Sequence, residues 1–159
     1  MTKAQKKKLT SFILAIFIVL IFKMFPQLGE YLETDRQEIQ LINCIDGDTA
    51  NFSELGKTRF LFIDTPESTK KIEKHGIAAS EYTCSELENA QKITFEYDGN
   101  KSDKYGRSLA WIFVDGELLQ EKIAKKGYVK KFYDYGNYRY EDLIRASIND
   151  KYKIFEGEK

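Results

Sequence analysis

Three short runs hold the residues capable of chemistry: Asp46-Gly47-Asp48-Thr49, Arg59 through Glu67, and Asp103-Lys104-Tyr105-Gly106-Arg107. They supply carboxylates for a hard cation, one further carboxylate able to act as a base, and two guanidiniums. That is the inventory a metal-assisted attack on a phosphodiester requires. Such an ester repels nucleophiles and gains charge on its oxygens as the fifth bond forms, so fixed positive charge must stand beside it. Arg59 and Arg107 can do this, because guanidinium stays protonated and its planar fork matches two phosphate oxygens at once. Asp48 and Asp64 offer the hard oxygen that Ca²⁺ accepts, with carbonyls and waters completing about six to eight positions. Thr65 precedes Pro66, which pushes it into an extended conformation and leaves its carbonyl free of any helix. Glu67, just beyond the rigid proline, can take a proton from an attacking water.

Each run also has a plainer reading. An isolated Asp-Gly pair is commonly a tight turn, and a lone Asp-Thr-Pro-Glu is commonly a strand end leading into a loop or cap. Arg107, Asp103 and Lys104 taken singly read as solvated loop charges. Their joint occurrence, in this order and with strand-like runs between them, points to a nuclease.

From about Ile39 to Phe155 the chain resembles the staphylococcal nuclease (thermonuclease) family, with I-D-G-D-T, R-x-x-x-x-D-T-P-E and D-K-Y-G-R intact and in order. The resemblance implies that Asp48, Asp64 and the Thr65 carbonyl bind Ca²⁺, that Glu67 is the general base, and that Arg59 and Arg107 bind phosphate. It places Lys104 and Tyr105 at a terminal phosphate of a bound nucleotide, and Tyr133 and Tyr135 along the nucleotide pocket. It further implies an α+β fold, a five-stranded OB-fold-like β-barrel with three helices, hydrolysing DNA and RNA with little sequence preference to leave 3′-phosphates.

The chain departs from that pattern in three places. The loop Ser68 to His75 is a few residues shorter than in the best known member, Gly136-Asn137 replaces a proline-containing loop, and the charge is not strongly basic. The 159 residues carry 25 basic and 25 acidic side chains. Setting aside residues 1–36 leaves 19 basic and 22 acidic, a formal net of −3. Non-specific nucleic-acid binding normally draws on a positive field, so attraction here must be local. The candidates are Lys70, Lys71 and Lys74, Lys104 and Arg107, and Lys125, Lys126, Lys130 and Lys131; a solvated face is the plain reading of each lysine cluster.

The elements that must position these groups follow from patterning. Glu38–Ile45, Ala50–Leu55, Thr58–Ile63, Lys92–Tyr97 and Ser108–Val114 read as strands, with a turn at Gly56. Ile77–Ala90 has helical composition, Glu117–Lys126 reads as a helix stopped by Gly127, and Tyr140–Tyr152 aligns Ile144, Ile148 and Tyr152 on one face. Cys44 and Cys84 read as separate thiols, and two Cys with one His cannot assemble a zinc site. His75 reads first as an exposed or packing residue, with a general-acid role the alternative because it lies close to Glu67 in sequence. No repeat occurs, and no obligate protein partner is indicated, so a monomer is expected.

Upstream, residues 1–8 form a basic n-region and residues 9–25 an apolar segment. Residues 26–37 read as a linker, which leaves 38–159 as one nuclease-like domain of single-core size. Lys6 to Lys8 before an uncharged run with no sharp cleavage site indicate a signal-anchor in the cell membrane, basic end inside and domain outside. Export after signal cleavage is the alternative. Two functions compete: a Ca²⁺-dependent endonuclease, and a catalytically weak OB-type module that binds single strands. The presence of Asp48, Arg59, Asp64, Glu67 and Arg107 together favours the first.

Overall fold

A computed structural model describes residues 36–133 and 136–148. The apolar N-terminal segment, Tyr135 and the last turn expected of the third helix lie outside them. Among the described residues no helix is long and apolar enough to cross a membrane.

The first strands are built around a tight hairpin. Strand β2 (Leu41–Asp46) pairs antiparallel with β3 (Thr49–Phe52), Asp46 opposite Thr49, so only Gly47 and Asp48 connect them. The register shifts between Cys44 and Asp46, a bulge of the kind that re-aims side chains beside a site. Gly47 is required here by space, since a Cβ would stand 2.6 Å from the Thr65 hydroxyl and 3.1 Å from the Ala79 methyl. The plain turn reading and the site reading of Asp-Gly-Asp therefore both hold.

Strand β4 (Gly56–Phe60) pairs antiparallel with β3, Arg59 opposite Thr49, and parallel with β7 (Ser108–Val114), Thr58 opposite Ser108. This register brings Arg59 beside Asp48 and starts β7 one residue after Arg107. Strand β6 (Ile93–Glu96) pairs β7, and β1 (Gln37–Ile39) pairs β6, giving the order β1-β6-β7-β4-β3-β2. The short β8 (Glu117–Leu118) adds to β7.

The expectation of a barrel needs correction. The sheet is mixed and is not closed by a ladder between its end strands, although those ends, β1 and β2, are successive strands joined through Gln40. The single first strand read from sequence thus serves both ends of the sheet and breaks where it passes from one to the other.

A second correction concerns the run Thr58–Ile63. The strand stops at Phe60, and Ile63 donates its amide to the Leu61 carbonyl at 2.9 Å across Phe62, whose φ is +72°. An i to i+2 bond over a residue at positive φ is the rare, strained form of the γ-turn. It redirects the chain into β5 (Ile63–Asp64), which pairs with β9 (Lys131–Phe132). Burial and stacking of Phe62 on Phe132, centroids 4.7 Å apart, hold the turn.

Three helices complete the described architecture. Helix α1 (Gly76–Asn89) buries Gly76, Ala79, Thr83 and Leu87 on one stripe, and the Thr83 hydroxyl donates to the Gly47 carbonyl at 2.7 Å. Helix α2 (Leu119–Lys125) begins later than expected because Glu117 and Leu118 join the sheet. It ends as expected at Gly127: the Gly127 and Tyr128 amides return to Ala124 and Ile123 at 2.9 and 3.2 Å, with Gly127 at φ +79°, the Schellman pattern. Helix α3 (Glu141–Ser147) buries Ile144, and Ile148 packs against the same core. Buried Gln120 spans the backbone of β7, accepting from Ile112 and donating to Ala110. Cys44 and Cys84 are half-buried free thiols in neighbouring positions, and burial together with Cys84 pushes the Cys44 thiol upward.

The start of α1 is the tightest point of this packing. A Cβ on Gly76 would stand 2.1 Å from the Glu67 carbonyl oxygen, a backbone neighbour that cannot swing aside. Gly76→Ala is therefore expected to lower stability by about 2 kcal/mol or more in urea unfolding and to displace Glu67. A loss under about 0.5 kcal/mol would show slack around that carbonyl.

Candidate active site

Arg59 is the centre of the site. Its Nη1 donates to Asp48 Oδ1 and its Nη2 to Asp64 Oδ1, so one guanidinium clasps two carboxylates from different elements. A longer contact of 3.5 Å runs from Nη2 to the Ile63 carbonyl. Asp48 is 1% exposed and fully bonded: Oδ2 accepts the Thr65 amide at 2.8 Å and the Thr65 hydroxyl at 3.1 Å, and Oδ1 accepts the Thr49 hydroxyl at 2.9 Å. Burial nevertheless pushes the Asp48 carboxyl above its ordinary range, against the pull of Arg59 and the Thr65 amide.

Glu67 lies on the loop after Pro66. Its Oε1 accepts the Thr69 hydroxyl at 2.6 Å. That bond, then one with Asp46, holds the Glu67 carboxyl below its usual range and so ionised at neutral pH. Asp46 is pushed up to about 6, chiefly by burial, while accepting the Ser68 hydroxyl at 2.7 Å and the Gly47 amide at 2.8 Å.

The third run forms one tight loop around Asp103. Its Oδ1 accepts the amides of Tyr105 and Arg107 at 2.8 and 3.0 Å, its Oδ2 accepts Arg107 Nε at 2.6 Å, and Gly106 takes φ +77°. Burial works against the Asp103 charge, but the bonds from Arg107 and Tyr105 outweigh it and lower its pKa. Arg107 thus arrives with its Nε committed, an orientation that Asp103 imposes. Tyr105 is 73% exposed, with Lys104 and Arg107 near its ring at 5.1 and 5.7 Å.

These runs meet. Arg59, Asp64, Glu67, Lys104, Tyr105, Arg107 and Tyr133 line one cleft of about 960 Å³. Tyr133 faces the Arg59 guanidinium at 5.6 Å and the Lys131 ammonium at 4.5 Å, within cation–π reach. Asp48 and Thr65 are buried rather than lining this cleft, and Tyr135 is outside the described residues. His75 opens α1 at φ +65° and is half-buried.

The lysines divide. Lys70 and Lys71 are exposed, whereas Lys125 pairs with Glu121 at 2.7 Å and Lys130 with Glu73 at 2.6 Å. Sequence reasoning missed Asp46, Glu73, Thr83 and Asp103 as supporting residues. Only Asp103 carried a local signal, four residues before Arg107 across a Gly turn.

As a metal cage the site is sparse, since no group of three or more His, Cys, Asp or Glu side chains converges among the described residues. The donor set still suits a hard cation: two carboxylates converge tightly enough to share the single charge of Arg59.

Comparison with known proteins identifies the family. The family model described as staphylococcal nuclease homologue matches residues 57–153. A thermonuclease of Staphylococcus hyicus is 32% identical over 162 aligned positions, covering 93% of this chain and 95% of that protein. A thermonuclease of Staphylococcus intermedius is 36% identical, covering 92% and 95%. The endonuclease YncB of Bacillus subtilis is 39% identical over 115 positions, covering 67% of this chain and 54% of that one. The chain belongs to the staphylococcal nuclease family.

Proposed function

We propose that this nuclease is a Ca²⁺-dependent endonuclease that hydrolyses DNA and RNA with little sequence preference, leaving 3′-phosphates. The observation that carries the reading is the Arg59 clasp on Asp48 and Asp64, of which Arg59 and Asp64 line the same cleft as Glu67 and Arg107 while Asp48 lies buried behind them. Asp48, Asp64 and the Thr65 carbonyl would hold the cation, which when bound supplies positive charge to the phosphate. Glu67, already ionised, takes the proton of the attacking water. Arg59 and Arg107 bind the phosphate oxygens as charge grows there, Arg107 through the Nη atoms that Asp103 leaves open. Lys104 and Tyr105 border a terminal phosphate, and Tyr133 offers a face for a base, with Tyr135 beside it in sequence.

Activity is expected with Ca²⁺ and to be lost with chelator, and Mg²⁺ should support it poorly because it demands a stricter octahedron than so few carboxylates provide. Equal turnover in Mg²⁺ alone would contradict the assignment. Arg59→Lys and Arg107→Lys are each expected to lower the rate on the order of 10²-fold, since a point charge cannot make the two-point contact. Glu67→Gln should lose a similar factor, on the order of 10²-fold, without weakening Ca²⁺ binding. Near-normal rates in the lysine variants would remove both arginines from the phosphate site.

For location we propose a single-pass anchor, residues 9–25, with the nuclease domain outside the cell, on the strength of Lys6 to Lys8 before the apolar run. Protease added to intact cells is expected to cut the domain from a membrane-bound stub. A domain found free and shortened near Gln27 would instead mean a cleaved signal, and full protection after removal of outer layers would exclude export.

A further inference from the structure

Glu67 sits on a loop, so whatever fixes that loop fixes the base. Both backbone groups of Glu67 turn to one partner: the Glu73 amide donates to the Glu67 carbonyl at 2.8 Å, and Glu73 Oε2 accepts the Glu67 amide at 2.9 Å. The same Oε2 accepts Lys130 Nζ at 2.6 Å. Lys130 in turn reaches the metal-ligand candidate, with Nζ 3.7 Å from Asp64 Oδ2 and its amide donating to the Asp64 carbonyl at 2.8 Å. Gly76 lies against the far side, where a Cβ would stand 2.1 Å from the Glu67 carbonyl oxygen.

Charge agrees with this wiring. The bond from Lys130 and then that to the Glu67 amide hold the Glu73 carboxyl below its ordinary range. Burial opposes the Lys130 charge, but Glu73 and Asp64 more than compensate and raise its pKa. Neither side chain is among those lining the cleft, and each is committed to the other at 2.6 Å. Lys130 belonged to the cluster read from sequence as a possible attraction for nucleic acid, and the geometry gives it different work.

We propose that Glu73 and Lys130 form a latch that positions Glu67 relative to Asp64, making both of them positioning residues for the base. The proposal rests on the reading of Glu67 as general base. With the latch intact, one ammonium ties the loop carrying the base to the strand carrying Asp64, so the two carboxylates keep a fixed separation. Without it, the Glu67 amide loses its acceptor or that acceptor loses its anchor, and the loop from Ser68 to His75 can swing.

The test compares Lys130→Ala, Lys130→Arg, Glu73→Ala and Glu73→Gln in the full chain, by two readouts. The first is limited trypsin digestion, following by mass the first cut after Lys70 or Lys71, which needs no nuclease activity. Lys130→Ala and Glu73→Ala are expected to speed that cut about tenfold, the loss of one charge-assisted hydrogen bond. The second is steady-state kinetics on DNA with Ca²⁺, where both alanine variants should lower kcat about tenfold while KM stays within about twofold, as for a group acting only through the base. Lys130→Arg and Glu73→Gln keep a donor and an acceptor and should recover most of each loss. Wild-type cutting and kcat in both alanine variants would overturn the latch, as would failure of the conservative variants to recover. If Glu67→Gln kept full activity while the alanine variants still opened the loop, the base assignment would fall and the latch would stand.

Discussion

The site depends on one guanidinium holding two carboxylates. Asp48 is buried on a two-residue hairpin, Asp64 arrives on a separate two-stranded ribbon, and Arg59 is the group that touches both. Buried charge is stable only when paired and bonded, and removing one partner of such a pair costs about 3–5 kcal/mol. On the proposed reading, the two carboxylates have two neutralising partners in turn, the arginine of the chain itself and a divalent cation. If Ca²⁺ takes over the carboxylates, Arg59 becomes available to a phosphate in the same cleft, which would couple cation binding to readiness for substrate.

The surrounding fold can be understood as what brings that clasp together. The register of β3 on β4 sets Arg59 opposite Thr49, one residue from Asp48. The strained turn at Phe62 then reverses the chain quickly enough for Asp64 to meet the other arm of the same side chain. Backbone strain of this kind persists only where packing over-determines it, and Phe132 against Phe62 does so here, with the Arg145 guanidinium 4.9 Å from the Phe62 ring. From behind, Thr83 of α1 fixes the hairpin through the Gly47 carbonyl.

Much of this was legible in the residues themselves. The three motifs are local, and their side-chain chemistry singles out Asp48, Arg59, Asp64, Glu67 and Arg107 before any fold is known, although the pairing of Arg59 with both aspartates was not among the expectations. Strand Ser108–Val114 and the helix stop at Gly127 were equally local, one a run of β-branched and aromatic residues, the other a glycine at a left-handed position. What could not be read depended on distant partners. A continuous apolar run gives no hint that the strand breaks at Leu61-Phe62, because the turn is held by Phe132, seventy residues away. Lys130 looked like a surface charge, since its partners Asp64 and Glu73 lie far off in sequence. The open sheet was likewise invisible, as it turns on whether two halves of one strand pair with each other or with different neighbours.

The most direct test is a calorimetric Ca²⁺ titration of the wild-type protein and Arg59→Ala in the absence of nucleic acid. If the guanidinium and the cation share Asp48 and Asp64, removing the guanidinium frees both carboxylates, and Arg59→Ala should bind Ca²⁺ several-fold more tightly than wild type even though it is the weaker nuclease. Unchanged or weaker Ca²⁺ binding in a folded Arg59→Ala protein would contradict the account.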